Sequence, residues 1–270
     1  MSDENLDEYL GLDGDEIMEI DDPEPESLLG NVIIAGETTM IFGKAGCGKS
    51  WVTMSMCMAI AKGEDVFGWK SNIPTPIFYI EGEMRYNQVK HRLKTLSNGE
   101  VPKNFVLLSA SKLPKGEYID LSDIRCQQKI LKSLRRRKSK LLVVDNISCL
   151  TNLEGENDAS SWTNVKRFCD ELNNMGIAVI LVHHPAKKGD DPRGSSIRVD
   201  GIDVCIKLEE NEKTLPPNIG GASFKMSVDK SRYDPKLKST TKQYALVSQT
   251  GKWHTPREFD SIESEHYDNE

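Results

Sequence analysis

Thr38-Thr39-Met40-Ile41-Phe42-Gly43-Lys44-Ala45-Gly46-Cys47-Gly48-Lys49-Ser50 decides how the rest of the 270-residue chain is read. Met40, Ile41 and Phe42 form a short apolar run of the kind that ends a buried strand, and residues 43–50 fit G-x-x-x-x-G-K-[ST] at every fixed position. A helical pattern through Val52, Met56, Ile60 and Ala61 follows, which supplies the strand–loop–helix context the motif requires. Glycines let backbone N–H groups point inward, and the following helix adds its positive end, so the loop is built to hold phosphate. Lys49 can reach β- and γ-phosphates, and the Ser50 hydroxyl can join the shell of a Mg²⁺ ion. ATP and Mg²⁺ are the expected cofactors. The expected nucleotide-binding residues are Gly43, Ala45, Gly46, Cys47, Gly48, Lys49, Ser50 and Trp51.

Outward from this loop, apolar runs recur and end in polar residues. Residues 77–80 lead into Glu81 and Glu83, residues 141–144 into Asp145, and residues 177–182 into His183-His184, while 31–37, 104–110 and 202–208 read as further strands. Helical patterns fill the gaps at 85–97, 122–138 and 162–175, and two segments of alternating polarity, 222–229 and 242–248, close the chain. The order predicts an α/β fold: a mostly parallel central sheet, helices on both faces, and an antiparallel β addition near the C-terminus. In such sheets the ligand lies beyond the carboxyl ends of the strands.

The strand ends therefore carry the candidate chemistry. Asp145 can hold Mg²⁺ beside Ser50. One of Glu81 and Glu83 can orient the water that attacks a phosphoryl group, and spacing does not choose between them. His183 and His184 are adjacent in an extended strand and point to opposite faces, which argues against a metal pair and for one imidazole that reports the nucleotide state. The 122–138 helix has an apolar stripe of Ile124, Ile130, Leu131 and Leu134. Its opposite side carries Lys129, Lys132, Arg135, Arg136, Arg137, Lys138 and Lys140, read first as a solvated face.

Charge divides the chain in three. Residues 1–30 carry 12 acids and no Lys or Arg, and residues 258–270 carry six acids and no Lys or Arg. The remaining 24 acids and 35 bases make residues 31–257 a basic body of about +11. The expected organisation is an acidic, disordered arm (1–30), an ATPase domain (31–257) and an acidic tail (258–270), with the acidic ends able to dock on a protein partner. The six cysteines form no C-x-x-C pair, no run of about 18 apolar residues exists to span a membrane, and the N-terminus lacks a signal-peptide pattern. A reducing, cytoplasmic setting is expected.

Gly43–Ser50, Tyr79-Ile80-Glu81-Gly82-Glu83-Met84, Val143-Val144-Asp145-Asn146, and Leu181-Val182-His183-His184 with Arg193-Gly194-Ser195-Ser196 occur in that order. The set, over roughly residues 31–255, resembles the RecA-like ATPases of the RepA type, small hexameric replicative helicases related to the DnaB helicase core. The resemblance implies a RecA-like P-loop NTPase fold and assigns roles by position. Glu83 is the catalytic carboxylate, Lys49 and Ser50 bind phosphate and Mg²⁺, and Asp145 is the second acid of the metal site. His184 couples nucleotide state to a DNA loop at 186–196, in which Lys187, Lys188 and Arg193 contact DNA phosphates. Arg92 stacks on the base. Lys230 and Arg232 enter a neighbouring subunit's site, so hydrolysis needs a homo-oligomer. The implied function is a hexameric ring motor on single-stranded DNA in replication. A recombination or repair ATPase without unwinding, and a nucleotide-controlled switch or scaffold, are the alternatives. The 1–30 arm is too short and acidic for a primase or a DnaB-type N-terminal domain, and Glu154, Glu156 and Asp158 make the loop after Asp145 a poor DNA contact.

Overall fold

Apolar runs that end in polar residues need cover on both faces, and here they form the parallel half of a nine-stranded sheet. The computed structural model describes residues 11–151, 159–184, 201–211, 221–238, 241–247, 250–255 and 258. Its strands are β1 (Ser27–Leu29), β2 (Ile33–Ile34), β3 (Thr38–Gly43), β4 (Ile77–Glu81), β5 (Phe105–Ser109), β6 (Leu141–Asp145), β7 (Ala178–His183), β8 (Val204–Glu210), β9 (Gly221–Ser231), β10 (Thr241–Val247) and β11 (Lys252–His254). Its helices are α1 (Gly14–Glu19), α2 (Lys49–Lys62), α3 (Tyr86–Leu96), α4 (Ile124–Arg137) and α5 (Ala159–Asn174).

The sheet order is β11-β10-β9-β8-β3-β7-β6-β4-β5. Strands β8, β3, β7, β6, β4 and β5 are parallel, and β9, β10 and β11 extend the β8 edge in antiparallel fashion. The expected fold class is observed. Alternation sorts the core into two layers. Ile41, Tyr79, Val143, Ile180 and Ile206 face α2 and α3, whereas Phe42, Ile80, Val144, Leu181 and Cys205 face α4 and α5.

Four details depart from the sequence reading. The 31–37 segment is no strand of the main sheet: Ile33–Ile34 pairs only with β1, whose Leu28 and Leu29 are buried, so packing begins upstream of residue 31. Ile124, placed on the apolar stripe, is 65% exposed because the stripe begins one turn later. Helix α5 starts at Ala159 rather than Trp162. Helix α2 is buried on all sides, since Phe67, Phe224 and Trp253 close over it from the antiparallel side and the Trp253 Nε1 donates to Ser55 Oγ at 2.9 Å. Within the acidic arm, α1 is a capped but wholly exposed turn of helix.

Candidate nucleotide site

The carboxyl ends of β3, β7, β6 and β4 lie side by side, which gathers the P-loop, His183-His184, Asp145 and Glu81 along one rim. Gly48 caps α2 with φ 93°, in the left-handed region, and offers no side-chain cap. The first N–H groups of a 14-residue helix are therefore left for an anion. Lys49 is buried, and its ammonium donates to the carbonyls of Gly43 and Lys44, both at 2.7 Å, which holds it at the centre of the loop. Burial pulls its pKa below the ordinary value. Cys47 Sγ lies 4.0 Å from that ammonium, and burial pushes the thiol up, so Cys47 packs rather than reacts.

Asp145 sits on the α2 face of the sheet, where its carboxylate accepts from the Ser50 hydroxyl and from Tyr79 Oη at 2.6 Å. Burial raises its pKa, and the hydroxyl bonds from Tyr79 and then Ser50 oppose the rise. A hydroxyl beside a carboxylate fits Mg²⁺, which takes one or two protein oxygens and completes its octahedron with phosphates and water. Among the described residues no group of three or more His, Cys, Asp or Glu could hold a metal ion by itself. The ion would rely on the phosphates.

The two glutamates separate clearly. Glu81 is 1% exposed, and its Oε1 accepts from the backbone N–H groups of Glu83 and Met84 at 2.8 and 2.7 Å. Burial, then the charge of Asp145, raises its pKa to about 8. Its oxygen is spent on shaping the turn. Glu83 is exposed, and its Oε2 accepts from Asn146 Nδ2 at 2.5 Å and lies 3.5 Å from His184 Nε2. Gly82, between them, donates to the Asp145 carbonyl at 2.8 Å, and a Cβ there would meet Leu150 at 2.6 Å, so glycine is required for the close approach. His183 is buried on the α4/α5 side while His184 reaches Glu83, as the opposite-face argument expected.

Other expected residues fall elsewhere. Arg92 stacks on the Trp51 indole at 4.8 Å, so the plane expected to face a base faces this ring, and Trp51 itself is buried against Ala222 and Leu246. Arg232 follows β9, whose Ser231 pairs with Val204, which pairs with Thr39 at the start of β3. Arg232 therefore lies at the sheet end opposite the P-loop, while Lys230, level with Met40 through Cys205, is about 10 Å from Gly43 along β3, and neither joins the site within one chain. Arg232 Nη1 is bound to Asp203 Oδ1 at 3.0 Å. Lys187, Lys188 and Arg193 lie outside the described residues. Two residues that sequence reasoning passed over join the site. Tyr79 was signalled by its alternation with Glu81, and Asn146 only by its place after Asp145.

A family model described as an AAA domain matches residues 6–190, more than half of the chain. The chain belongs to this AAA domain family. Among curated proteins this AAA domain is 26% identical over 193 residues to a DNA repair protein RadA of Campylobacter jejuni, covering 70% of the chain and 37% of the relative. It is 25% identical over 192 residues to a DNA repair protein RadA of Aquifex aeolicus, covering 68% of the chain and 36% of the relative. The chain thus spans little more than a third of these relatives' length. Among solved structures it superposes on a KaiC-like protein of Pyrococcus horikoshii with a TM-score of 0.57 at 15% identity, over 83% of this chain and 93% of that one. Together these likenesses identify a RecA-like ATPase fold, which implies nucleotide binding and hydrolysis, and they are not specific for a RepA- or DnaB-type helicase. No helix among the described residues is long and apolar enough to cross a membrane.

Proposed function

We propose that this AAA domain is a Mg²⁺-dependent ATPase that works as a homo-oligomer on single-stranded DNA in recombination or repair. The observation that carries the hydrolytic part is the setting of Glu83: an exposed carboxylate braced by Asn146 and His184, across the rim from Lys49 and the Ser50–Asp145 pair. In this reading Lys49 would bind β- and γ-phosphates, and Ser50 and Asp145 would hold Mg²⁺, which would supply charge neutralisation for the reacting phosphoryl group. Glu83 orients the attacking water and takes its proton. His184 then senses, through Glu83, whether the γ-phosphate is in place. Lys187, Lys188 and Arg193 would contact DNA, and Lys230 and Arg232 would act across a subunit boundary, since neither reaches the loop of its own chain.

The DNA and repair part is supported by the two relatives named RadA. A replicative ring helicase of the RepA type is the second reading, favoured by the order of Gly43–Ser50, Glu83-Met84 and His183-His184.

Steady-state ATP hydrolysis, with and without oligothymidylate, tests the reading, alongside strand displacement on forked DNA. DNA-stimulated hydrolysis without displacement is expected, and displacement would favour the helicase. Mixing Arg232→Ala with Glu83→Gln restores activity if Arg232 works in a neighbour's site, because some interfaces then pair an intact Glu83 with an intact Arg232. A rate indifferent to DNA, with Arg232→Ala fully active, would sink the DNA reading and leave a nucleotide-controlled switch or scaffold.

A further inference from the structure

We infer that the outward face of α4 is a second single-stranded DNA contact, binding the phosphate backbone on the sheet face opposite the helix that follows the P-loop. The inference rests on the DNA reading above. Residues 124–140 hold eight Lys or Arg and no Asp or Glu. Four of them, Arg125, Lys129, Lys132 and Arg136, are spaced i, i+4, i+7 and i+11, which puts them in one straight stripe. Gln127, Ile130, Leu131 and Leu134 are the buried positions of the same helix, so the stripe points directly away from the core. All four cations are exposed, and none is in an ion pair among the described residues. The neighbouring acid, Asp123, is the helix N-cap and accepts from the Arg125 backbone N–H at 2.9 Å.

The fold gains little from this arrangement. Like charges at i+3 and i+4 each cost a helix about 0.2–0.5 kcal/mol. Arg135, Arg136 and Arg137 in the last turn favour the helix dipole, but Arg125 in the first turn opposes it. A solvated face needs polarity, which alternating Glu and Lys supply at a gain. What an unbroken cationic stripe fits is a polyanion. Its length from Arg125 to Arg136 is about 16 Å at about 1.5 Å per residue. That faces about five phosphates of a stacked strand at about 3.4 Å each. Helix α4 packs in the layer with α5, on the other side of the sheet from α2, so DNA there leaves the nucleotide site open.

Titrate labelled oligothymidylate with the full chain over a series of KCl concentrations, and compare Lys129→Gln/Lys132→Gln/Arg136→Gln. Each lost contact removes about 0.7 from the slope of log K against log salt, so the triple variant should be shallower by about 2 and at least tenfold weaker at low salt. Its ATPase rate without DNA stays within about twofold, since no substituted residue touches the nucleotide rim. Arg125→Gln alone should cost about 0.7 of slope, which covers the case in which the triple variant folds poorly. Equal slopes and affinities overturn the inference. DNA-stimulated ATPase with equal slopes overturns it and leaves the proposed function standing, whereas a shallower slope with no stimulation does the reverse. An unchanged DNA slope with altered salt-dependent self-association in sedimentation also overturns it, and gives the stripe to the acidic arm of a second copy.

Discussion

The two ends of the parallel sheet carry similar charged residues and treat them differently. At the amino ends of β3 and β8, Asp203 accepts from the Thr38 backbone N–H at 2.9 Å and from Arg232 at 3.0 Å, and Asn173 donates to the Thr38 hydroxyl. Glu37 nearby is pushed to about 6 by burial and by Asp203, with Arg232 pulling it back. Cation and carboxylate neutralise one another within the chain. At the carboxyl ends, Lys49 is bonded to carbonyls and not to a carboxylate. Asp145 and Glu81 are raised by burial, and the second oxygen of Glu81 is buried with no hydrogen bond among the described residues. One end pairs its cation with a carboxylate, although one oxygen of Glu37 there is also buried with no hydrogen bond among the described residues. The other gathers carboxyls whose pKa values burial raises beside a buried ammonium, and perturbed groups gathered in a cleft are where chemistry is expected.

The largest test of this contrast is Glu83→Gln. Loss of the water-orienting carboxylate should lower kcat by about 10²–10⁴-fold while the urea midpoint barely moves. An equal loss of stability would mean that Glu83 is structural. Next, Asp203→Ala should do the opposite. It leaves the Thr38 N–H and the Arg232 guanidinium without their acceptor and should cost about 1–3 kcal/mol by urea unfolding, with basal ATPase changed by less than about twofold. A kcat loss that exceeds the stability loss would mean that Asp203 also positions Arg232 for the neighbouring site proposed above, and would break the comparison. A third test, on stability alone, is the pH effect at Glu81. Its folded pKa is raised from 4.5 to about 8, so over that window the unfolded chain has released a proton that the folded chain keeps. Stability should fall as pH rises from 4.5 to about 8, and Glu81→Gln should flatten the decline in urea midpoints measured at pH 5 and pH 8. A decline of the same size in the variant would assign it to another group.

The sequence by itself determined the P-loop, the strands that flank it and the carboxylates that end β4 and β6. These signals are local: a motif of eight residues, apolar runs, and an alternation that sends Asp145 and Tyr79 to one face. The α/β class followed from their order. Spacing did not decide which glutamate is free; the resemblance assigned the role to Glu83, and the tertiary structure supplies the physical reason. The spacing of Glu81 and Glu83 is symmetric about Gly82, and that reason lies in the β4–β6 register and in Leu150 pressing on Gly82. Tyr79 meets Asp145 across 66 residues and Asn146 meets Glu83 across 63, separations at which no periodic pattern speaks. The all-round burial of α2 likewise depends on β9 to β11 folding back over it. Side-chain period reports which face a residue takes. Which partner waits on that face is set by strand order, and strand order is settled by the packing of the whole sheet.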